Sequence, residues 1–272
     1  MTAQVILVTG ATSGIGEAIA TLLYKEGHKV YGTGRSVSKL KNFSYPLLKM
    51  DINSIESVVT AIQELILKEG RVDVLVNNAG MGLAGAVEET SDEDVVKILD
   101  TNVVGLHRTC TAVLPHMRKQ RFGKIINIGS MGGMIGLPFR SYYCASKFAT
   151  EGFSEALSME VKQFGVKVVL VQPGDMKTKI NLNRVETESA VTSPYYESYN
   201  YVRNKFSNAV EAASEPIVIA KIVNRIINKK SPAFRYKKGA FFENFSHAVK
   251  RIVPFRWFET FVTMYYKMNK LK

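Results

Sequence analysis

Short apolar runs alternate along the chain with stretches of helical periodicity, and this alternation constrains the fold more than any other feature. The predicted strands, apolar at nearly every position, are Val5–Val8, Val30–Thr33, Leu47–Met50, Val72–Val76, Lys124–Ile128 and Val166–Val171. The predicted helices are Ile15–Glu26, Ser54–Glu69, Asp92–Arg118 and Ser141–Phe164. Continuous apolar strands are typical of a sheet covered on both faces. The pattern therefore predicts an α/β fold, a doubly wound, Rossmann-like parallel sheet with helices on both faces.

The chain shows no internal repeat and no low-complexity linker, so a single domain is predicted over residues 1–239. The regular pattern loosens over residues 185–215, which are rich in Ser, Asn and Tyr and are predicted to form a substrate loop or lid. Residues 240–272 are predicted to be a basic, amphipathic, helical extension.

A glycine-rich turn follows the first predicted strand and opens the first helix, over residues 9–16 with the sequence TGATSGIG. Glycines allow a tight turn and let backbone N–H groups approach a pyrophosphate at the positive end of a helix. The candidate cofactor-binding residues here are Gly10, Thr12, Ser13, Gly14, Ile15 and Gly16. A glycine triplet alone can be an ordinary turn, but the strand before it and the helix after it favour a nucleotide site.

The end of the second strand reads Gly34, Arg35, Ser36, without the acidic residue that would bind a free ribose 2′-hydroxyl. A guanidinium suits a 2′-phosphate in charge and geometry, so NADPH/NADP⁺ is predicted in preference to NAD. The alternative is that Arg35 is a solvated surface residue.

Polar residues also follow the third and fourth strands, where a doubly wound sheet binds its ligands. They are Asp51 and the run Asn78, Ala79, Gly80. On sequence alone, either group could equally form a turn or cap a helix.

Tyr143 and Lys147 are four residues apart in a predicted helix, so their side chains share one face. A free phenol has a pKa of about 10, and a nearby ammonium favours the phenolate and lowers that value. Such a tyrosine can exchange a proton with a developing alkoxide near working pH. The pair therefore predicts an acid–base site, although most chance pairs of this spacing lie on surfaces.

Other polar residues stand near the predicted carboxyl edge of the sheet: Asn102 in the preceding helix, Ser130 after the fifth strand, and Pro173 and Gly174 after the sixth. Together with the glycine spacing and the Tyr143–Lys147 pair, these residues resemble the Asn-Ser-Tyr-Lys pattern of the short-chain dehydrogenase/reductase family. The resemblance extends from Val5 to Gly239 and implies a seven-stranded, mainly parallel sheet.

The resemblance also implies a role for each site residue. Tyr143 protonates a carbonyl oxygen as hydride arrives, Ser130 hydrogen-bonds that oxygen, Lys147 binds the nicotinamide ribose, and Asn102 holds a relay water. Asp51 is expected near the adenine, and Asn78 and its neighbours near the ribose. Pro173, Gly174 and Thr178 are expected at the nicotinamide, and no metal site is expected.

The segments Gly136–Phe139 and Tyr143–Gly152 are especially similar to lipid-active members of the family, such as 17β-hydroxysteroid dehydrogenases. The variable segment after Gly174 contains apolar and aromatic residues that either line a hydrophobic substrate site or pack beneath a lid. They are Met176, Tyr195, Tyr196, Tyr199, Tyr201 and Phe206. We expect an NADPH-dependent enzyme that interconverts a hydrophobic ketone and its alcohol. A 3-ketosphinganine reductase is favoured over a steroid or retinoid dehydrogenase or a general carbonyl reductase.

The C-terminal part of the chain carries most of the charge, since residues 221–272 hold 13 basic and two acidic side chains. Its first amphipathic stretch places Phe241, Phe242, Phe245, Val249 and Ile252 on one helical face. In a second stretch, basic positions from Arg256 to Lys270 lie on one helical face, and the opposite face is aromatic and includes Trp257, Phe258 and Phe261. Such helices are typical of contact with an anionic membrane surface. A cap over the substrate cleft or an oligomer interface is the competing interpretation.

Composition and the absence of further motifs also bear on where the protein is located and on which non-enzyme functions remain. Two cysteines and the absence of a basic, apolar leader favour a cytoplasmic protein, with peripheral contact to the inner face of a membrane left open. A nucleic-acid-binding protein is not expected, because no recognised binding module accompanies the basic tail. An NADPH-binding scaffold without turnover remains the other non-enzyme alternative, and a homo-oligomer is expected by family analogy.

Overall fold

A computed structural model of the chain describes residues 2–37, 43–178, 185–187 and 191–268, without the side chains of residues 241–244, 247 and 248. Its centre is a seven-stranded sheet with the order β3-β2-β1-β4-β6-β7-β9, in which every neighbouring pair is parallel. The predicted doubly wound fold is confirmed, and the sheet reverses its order between β1 and β4. A crevice for a ligand is expected at that reversal, outside the carboxyl ends of the strands.

The elements follow one another in strand–helix alternation through most of the chain. The strands are β1 Val5–Val8, β2 Lys29–Gly34, β3 Leu47–Lys49, β4 Val74–Asn77, β5 Leu83–Ala84, β6 Gly123–Ile128, β7 Val166–Pro173, β8 Val185–Glu186 and β9 Arg235–Lys238. The helices are α1 Gly14–Lys25, α2 Ile55–Glu69, α3 Asp92–Leu99, α4 Gly105–Gln120, α5 Ser141–Val161, α6 Tyr196–Glu211, α7 Ile217–Asn228, α8 Phe241–Ile252 and α9 Phe255–Tyr265. The short strands β5 and β8 pair with each other outside the main sheet.

The sheet separates two hydrophobic clusters, as the continuous apolar strands require. Side chains alternate along a strand between the two faces, so Ile125 and Ile126 of β6 enter different clusters although both are fully buried. One cluster includes residues of α2, α4 and α5, and the other includes residues of α1 and α7. Burial on both faces holds the carboxyl edge of the sheet as one rigid platform.

Three parts of the fold differ from the sequence interpretation. The helix predicted over Asp92–Arg118 is two α-helices joined by a π-helical segment, Asp100–Val104. Residues 185–215, predicted as an irregular loop, contain helix α6. The last strand, β9, and helix α7 were not located from the residue pattern.

The tail folds back over the carboxyl edge of the sheet. Tyr266 packs with Phe206 of α6, their ring centroids 5.4 Å apart, in a third hydrophobic cluster. Lys250 of α8 donates a hydrogen bond of 2.6 Å to the Met134 carbonyl, and Lys205 of α6 donates one to the Tyr265 carbonyl. The side chains of Phe241 and Phe242 and the whole of Lys270 and Lys272 lie outside the described residues. None of the helices described is both long enough and apolar enough to span a membrane.

Candidate active site

The turns after β1 and β4 are bound tightly to each other. Thr9 Oγ1 accepts hydrogen bonds of 3.0 Å from the backbone N–H groups of Asn78 and Ala79. Asn78 Nδ2 donates in return to the carbonyls of Thr9 and Gly10, at 3.0 and 3.1 Å. The predicted pyrophosphate turn and the predicted ribose-side residues therefore form one assembly, and Asn78 has a structural part in it.

Glycine is required in the turn for two separate reasons. Gly10 has φ +63°, and a Cβ there would lie 2.9 Å from Ala79 Cα. A Cβ on Gly16 would lie 2.3 Å from the Gly10 carbonyl oxygen and 2.4 Å from Asn78 Nδ2. Both positions thus exclude larger residues by close approach of neighbouring backbone and side-chain atoms. Ser13 is the N-cap of α1, and within the described residues its side chain forms no capping hydrogen bond to the helix.

The other predicted nucleotide residues lie around this turn. A Cβ on Gly14 would lie 3.4 Å from Thr178 Cβ, and one on Gly34 would lie 2.6 Å from Thr12 Cγ2. The segment after β7 and the turn after β2 therefore both approach the glycine-rich turn. Arg35 follows Gly34 and is exposed to solvent, as is Ser36.

Asp51 forms a turn between β3 and α2. Its Oδ1 accepts a hydrogen bond of 3.0 Å from the Asn53 N–H, and its own N–H donates to Ser57 Oγ at 2.9 Å. The structure thus gives Asp51 the turn role that sequence left open, at the carboxyl edge where a ligand role is also predicted.

Tyr143 and Ser130 meet at the end of β6. Ser130 Oγ accepts a hydrogen bond of 3.0 Å from the Gly132 N–H, and the Ser130 hydroxyl also hydrogen-bonds the Tyr143 phenol. A Cβ on Gly132 would lie 3.3 Å from Tyr143 Cε1 and 3.4 Å from Ser130 Oγ. The glycine therefore leaves room for the two hydroxyl-bearing side chains to come together.

Burial raises the pKa of Tyr143, whereas its hydrogen bond with Ser130 and the positive charge of Arg140 act to lower it. A lowered pKa caused by Lys147 is predicted from the sequence, and that direction is wrong. The physical reason is that removal from water penalises the phenolate more than the surrounding donors and charges favour it. Tyr143 therefore keeps its proton at neutral pH.

Lys147 lies one turn after Tyr143 on α5 and is half-buried. Its Nζ donates a hydrogen bond of 3.1 Å to the Ile128 carbonyl. Burial lowers the pKa of Lys147 to about 8, and the nearby Glu151 carboxylate opposes that shift. Glu151 is in turn held by Arg235 at 3.0 Å and by Gln172 at 2.5 Å.

Asn102 lies in the π-helical segment and is 5 % exposed. Its side chain accepts from the Met81 N–H at 2.8 Å and donates to the Met81 carbonyl and Ser146 Oγ, both at 3.0 Å. It fixes the loop after β4 against α5. A small cavity of about 10 Å³, close to the least space that admits one water molecule, is lined by both Asn102 and Lys147.

A larger cavity of about 210 Å³ opens at the carboxyl edge of the sheet, and most of the predicted catalytic residues line it. Of the predicted site residues, it is lined by Ile15, Asn78, Gly80, Ser130, Tyr143, Lys147, Pro173, Gly174 and Thr178. The remaining predicted residues are not part of its lining: Gly10, Thr12, Ser13, Gly14, Gly16, Arg35, Ser36, Asp51, Ala79 and Asn102.

The residues that close the cavity include part of the C-terminal tail, for which a cap over the substrate cleft was the less favoured of the interpretations drawn from the sequence. Met176 and Phe206 line it as predicted, but Tyr195 and Tyr199 pack against Phe139 instead. The outer wall contains Ser246 of α8 and Phe261, Val262, Tyr265 and Tyr266 from α9 and the residue after it. The periodic aromatic residues of the tail were the available signal, and they were interpreted chiefly as a membrane face.

Comparison with known proteins places this geometry in a family. Residues 4–189 match the family model described as short chain dehydrogenase. A 3-ketodihydrosphingosine reductase of Bacteroides thetaiotaomicron is 42 % identical over 240 residues, covering 88 % of this chain and 89 % of the relative. The human 17-beta-hydroxysteroid dehydrogenase type 1 is 34 % identical over 256 residues, with coverage of 87 % and 77 %.

Solved structures share the fold. A short-chain dehydrogenase from Streptomyces avermitilis superposes with a TM-score of 0.81 at 28 % identity, covering 99 % of this chain and 98 % of its own. A metagenomic short-chain oxidoreductase in complex with NADP has a TM-score of 0.69 at 26 % identity, with coverage of 87 % and 96 %. A Burkholderia phymatum protein in complex with NAD has a TM-score of 0.75 at 23 % identity, with coverage of 86 % and 88 %. One of these neighbours is thus a complex with NADP and another a complex with NAD.

Replacing Lys147 with methionine is expected to stabilise the chain at about pH 7 by about 1–2 kcal/mol, because it removes the cost of burying an ammonium. The pKa of about 8 lies below the ordinary 10.5, so this cost is fully present below pH 8. As pH rises from about 8 to 10.5, the folded wild type loses its proton first and the advantage of the variant shrinks. Thermal unfolding at several pH values measures the difference.

The exposed Lys119 on α4 offers a matched control, since Lys119→Met is expected to change stability by less than about 0.5 kcal/mol. A Lys147→Met variant less stable than the wild type at neutral pH would contradict the interpretation.

Proposed function

The chain belongs to the short-chain dehydrogenase family, and on that premise we propose that it is an NADPH-dependent reductase of a long-chain lipid ketone, with 3-ketodihydrosphingosine (3-ketosphinganine) as the favoured substrate. The chain is an oxidoreductase that acts on CH–OH groups and the corresponding ketones. The observation that carries the proposal is the cavity, which has Tyr143 and Ser130 in its lining and apolar side chains of α6 and α9 in its outer wall. The 42 % identical relative supports this choice of lipid.

The residues around the glycine-rich turn fit a nicotinamide dinucleotide. The N-terminus of α1 has no capping side chain among the described residues, and backbone N–H groups there suit a pyrophosphate. We assign the pyrophosphate to Gly10, Thr12, Ser13, Gly14, Ile15 and Gly16, the adenine to Asp51, the ribose side to Asn78, Ala79 and Gly80, and the nicotinamide to Pro173, Gly174 and Thr178. When bound, the dinucleotide supplies the hydride.

The chain's own residues supply the proton. The raised pKa of Tyr143 keeps its phenol protonated at neutral pH, so it can donate that proton to the carbonyl oxygen as the C–O π bond breaks. Ser130, already hydrogen-bonded to Tyr143, orients the same oxygen. Lys147 and Asn102 both line the small cavity, where a water held by Asn102 would continue the proton relay through Lys147. In this proposal Asn102 also positions the loop of Met81.

With NADPH, we expect 3-ketosphinganine to be reduced with a higher kcat/KM than estrone or a short soluble ketone. Tyr143→Phe is expected to lose activity by at least about 100-fold, because the acid is removed while NADPH binding is retained. Tyr142→Phe, which changes the neighbouring half-buried tyrosine outside the cavity lining, is the matched control. The assay follows NADPH oxidation by absorbance.

A higher kcat/KM for estrone would favour the runner-up, a 17β-hydroxysteroid-type dehydrogenase, which the 34 % identical human relative supports. Turnover of only small soluble ketones would remove the lipid proposal altogether.

We further propose that Arg35 selects NADPH over NADH. It follows β2 in the turn whose Gly34 approaches Thr12 of the glycine-rich turn, and its exposed guanidinium carries the charge that a 2′-phosphate requires. Ser36 adds a hydroxyl beside it.

Arg35→Ala is expected to weaken NADP⁺ binding by about 10- to 100-fold, the range for a lost charge-assisted hydrogen bond, and to leave NAD⁺ binding nearly unchanged. Isothermal titration of both dinucleotides measures this without turnover. Arg118→Ala, an exposed arginine near the end of α4, should alter neither affinity. An equal loss for NADP⁺ and NAD⁺ would refute the assignment.

We also propose that residues 240–272 extend the domain of residues 1–239 and bind an anionic membrane surface. The chain would then be a cytoplasmic protein that attaches peripherally to the inner face of a membrane. The inner side of α9 packs on the cavity, whereas Ile252, Phe255 and Trp257 are 82, 65 and 72 % exposed. Exposed Arg251, Arg256 and Lys267 accompany them. Apolar and basic side chains together match lipid chains and anionic head groups. A homo-oligomer is proposed from family analogy only.

Trp257 is the single tryptophan of the chain and reports directly on this surface. Its fluorescence emission is expected to shift to the blue with anionic phosphatidylglycerol vesicles, less so at high salt, and hardly at all with neutral phosphatidylcholine vesicles. Ile252→Ser should weaken vesicle binding about tenfold, while Leu67→Ser, at an equally exposed position of α2, should not. A shift that depends on protein concentration without vesicles would instead indicate self-association and contradict the membrane proposal.

A further inference from the structure

Helix α5 carries a buried carboxylate that takes no part in the proton transfer assigned to Tyr143 and Lys147. Glu151 is 8 % exposed and lies one helical turn after Lys147, just as Lys147 lies one turn after Tyr143. Side chains four residues apart share a helical face, so the phenol, the ammonium and the carboxylate follow one another along one side of α5. Burying a carboxylate costs free energy, so its place in this row requires an explanation.

The end of β6 brings Lys147 and Glu151 together independently of their spacing on the helix. Lys147 Nζ donates a hydrogen bond of 3.1 Å to the Ile128 carbonyl, and a Cβ on the next residue, Gly129, would lie 3.5 Å from Glu151 Oε1. The ammonium and the carboxylate therefore lie against two successive residues of the same segment. A carboxylate in that position favours the charged form of the lysine.

The Glu151 carboxylate is fixed from its other side by two strands of the sheet. Its Oε1 accepts a hydrogen bond of 2.5 Å from Gln172 Nε2 of β7, and its Oε2 accepts one of 3.0 Å from the Arg235 guanidinium of β9. Arg235 also forms an ion pair of 2.8 Å with Glu155, two turns after Lys147 on α5. Both carboxylate oxygens of Glu151 are thus held, and the negative charge stays beside Lys147.

Stability alone does not explain this cluster. Among the described residues, Gln172 Oε1 and Arg235 Nε are buried without a hydrogen-bond partner. A buried ion pair with unsatisfied polar atoms is often no more stable than apolar side chains of similar volume. A role in the chemistry of the neighbouring site accounts for the charges better than a contribution to folding does.

The charges of the cluster act on Lys147 in one direction. Burial lowers the pKa of Lys147 to about 8, and Glu151 is the carboxylate that opposes this shift. Burial also raises the pKa of Glu151, while the hydrogen bonds from Gln172 and Arg235 limit that rise. The two donors therefore favour the anion of Glu151, and the anion in turn favours the ammonium of Lys147.

Three further charged groups surround the pair. Glu155 acts with burial to raise the pKa of Glu151. Lys237 of β9 lies within electrostatic range of Glu151 and of Arg251 of α8. None of these three is among the groups whose charge shifts the pKa of Lys147 in the described part of the chain, so Glu151 is the member through which the cluster acts on the lysine.

We propose that Glu151 is a positioning residue for the reaction, which keeps Lys147 in the ammonium form while Arg235 and Gln172 hold Glu151 as the carboxylate. This inference rests on the proposed reductase function. Once Tyr143 has protonated the carbonyl oxygen, the Lys147 ammonium returns a proton to the phenolate, and water then restores the proton on Lys147. Glu151 exchanges no proton itself, and reduction slows when Lys147 loses its charge.

Glu151→Gln tests the proposal, because glutamine keeps the shape and removes the charge. With saturating NADPH and 3-ketosphinganine, kcat is measured from pH 6 to pH 10 as a ratio of variant to wild type, so that titration of the substrate amine cancels. The alkaline limb of the wild type is expected near pH 8, well below the titration of Tyr143, whose pKa is raised. The variant should shift that limb down by about one pH unit and lose about fivefold at pH 8, with little change at pH 6.

Two further variants distinguish charge from structure. Glu155→Gln removes an exposed carboxylate that contacts the same Arg235 and should move the limb by less than about 0.2 unit. Glu151→Asp keeps the charge and should recover most of the shift. A loss of kcat that is equal at every pH, with the limb of Glu151→Gln unmoved, would indicate a purely structural role and overturn the inference.

A titration without turnover separates this inference from the function on which it rests. With lysine labelled at ¹³Cε, the signal assigned through Lys147→Met reports the protonation of Lys147 by NMR. Its midpoint should fall by about one pH unit in Glu151→Gln, and an unchanged midpoint would overturn the inference. A wild type that reduces neither 3-ketosphinganine nor estrone would refute the proposed function, while this titration would still decide whether Glu151 controls the charge of Lys147.

The test also withstands a failure of the single variant to fold, as judged by thermal unfolding. The double variant Glu151→Gln/Arg235→Met removes both charges of the buried pair together, so no uncompensated charge is left inside the protein. The midpoint of Lys147 should still fall in this variant. A midpoint that stays or rises would overturn the inference.

Discussion

Parallel pairing of all seven strands brings their carboxyl ends to one edge, and the chemistry of the chain depends on that arrangement. Residues far apart in sequence, such as Asn78, Ser130 and Gly174, follow different strands and still line one crevice. The hydrogen bonds between Thr9 and Asn78 then join the two turns that flank the reversal of strand order. Two hydrophobic clusters, one on each face, keep this edge rigid, so the crevice is shaped by the sheet rather than by the loops alone.

The sequence predicted the sheet well because its strands are buried on both faces and therefore read as continuous apolar runs. Strand β9 has the sequence RYKK and is exposed at its end, so hydrophobicity could not reveal it. Helix α7 is rich in isoleucine and valine, which locally favour strands, but its buried residues recur at helical spacing and pack on α1. The π-helical segment contains Asn102, whose contacts with Met81 and Ser146 join residues distant in sequence and leave no local sequence pattern.

The residues of the candidate site were predicted from their spacing along the chain, but the directions of their pKa shifts were not. A spacing of four positions from Tyr143 to Lys147 places both on one helical face, but the pKa of the phenol depends on how much water the folded chain excludes. Burial raises that pKa, while Ser130 and Arg140 limit the rise. The same exclusion of water lowers the pKa of Lys147 to about 8. Both shifts are properties of the closed crevice and follow from tertiary packing, which spacing along the chain does not contain.

The wall contributed by α8 and α9 follows the last strand of the sheet in the chain. The residues proposed for hydride and proton transfer thus lie in the first part of the polypeptide, and one side of the cavity comes from the part that follows it. Mutation, recombination or lengthening of this final stretch can reshape what the crevice accepts without disturbing Tyr143 or the glycine-rich turn. Changes in this final stretch can therefore alter the choice of substrate while the reaction stays the same.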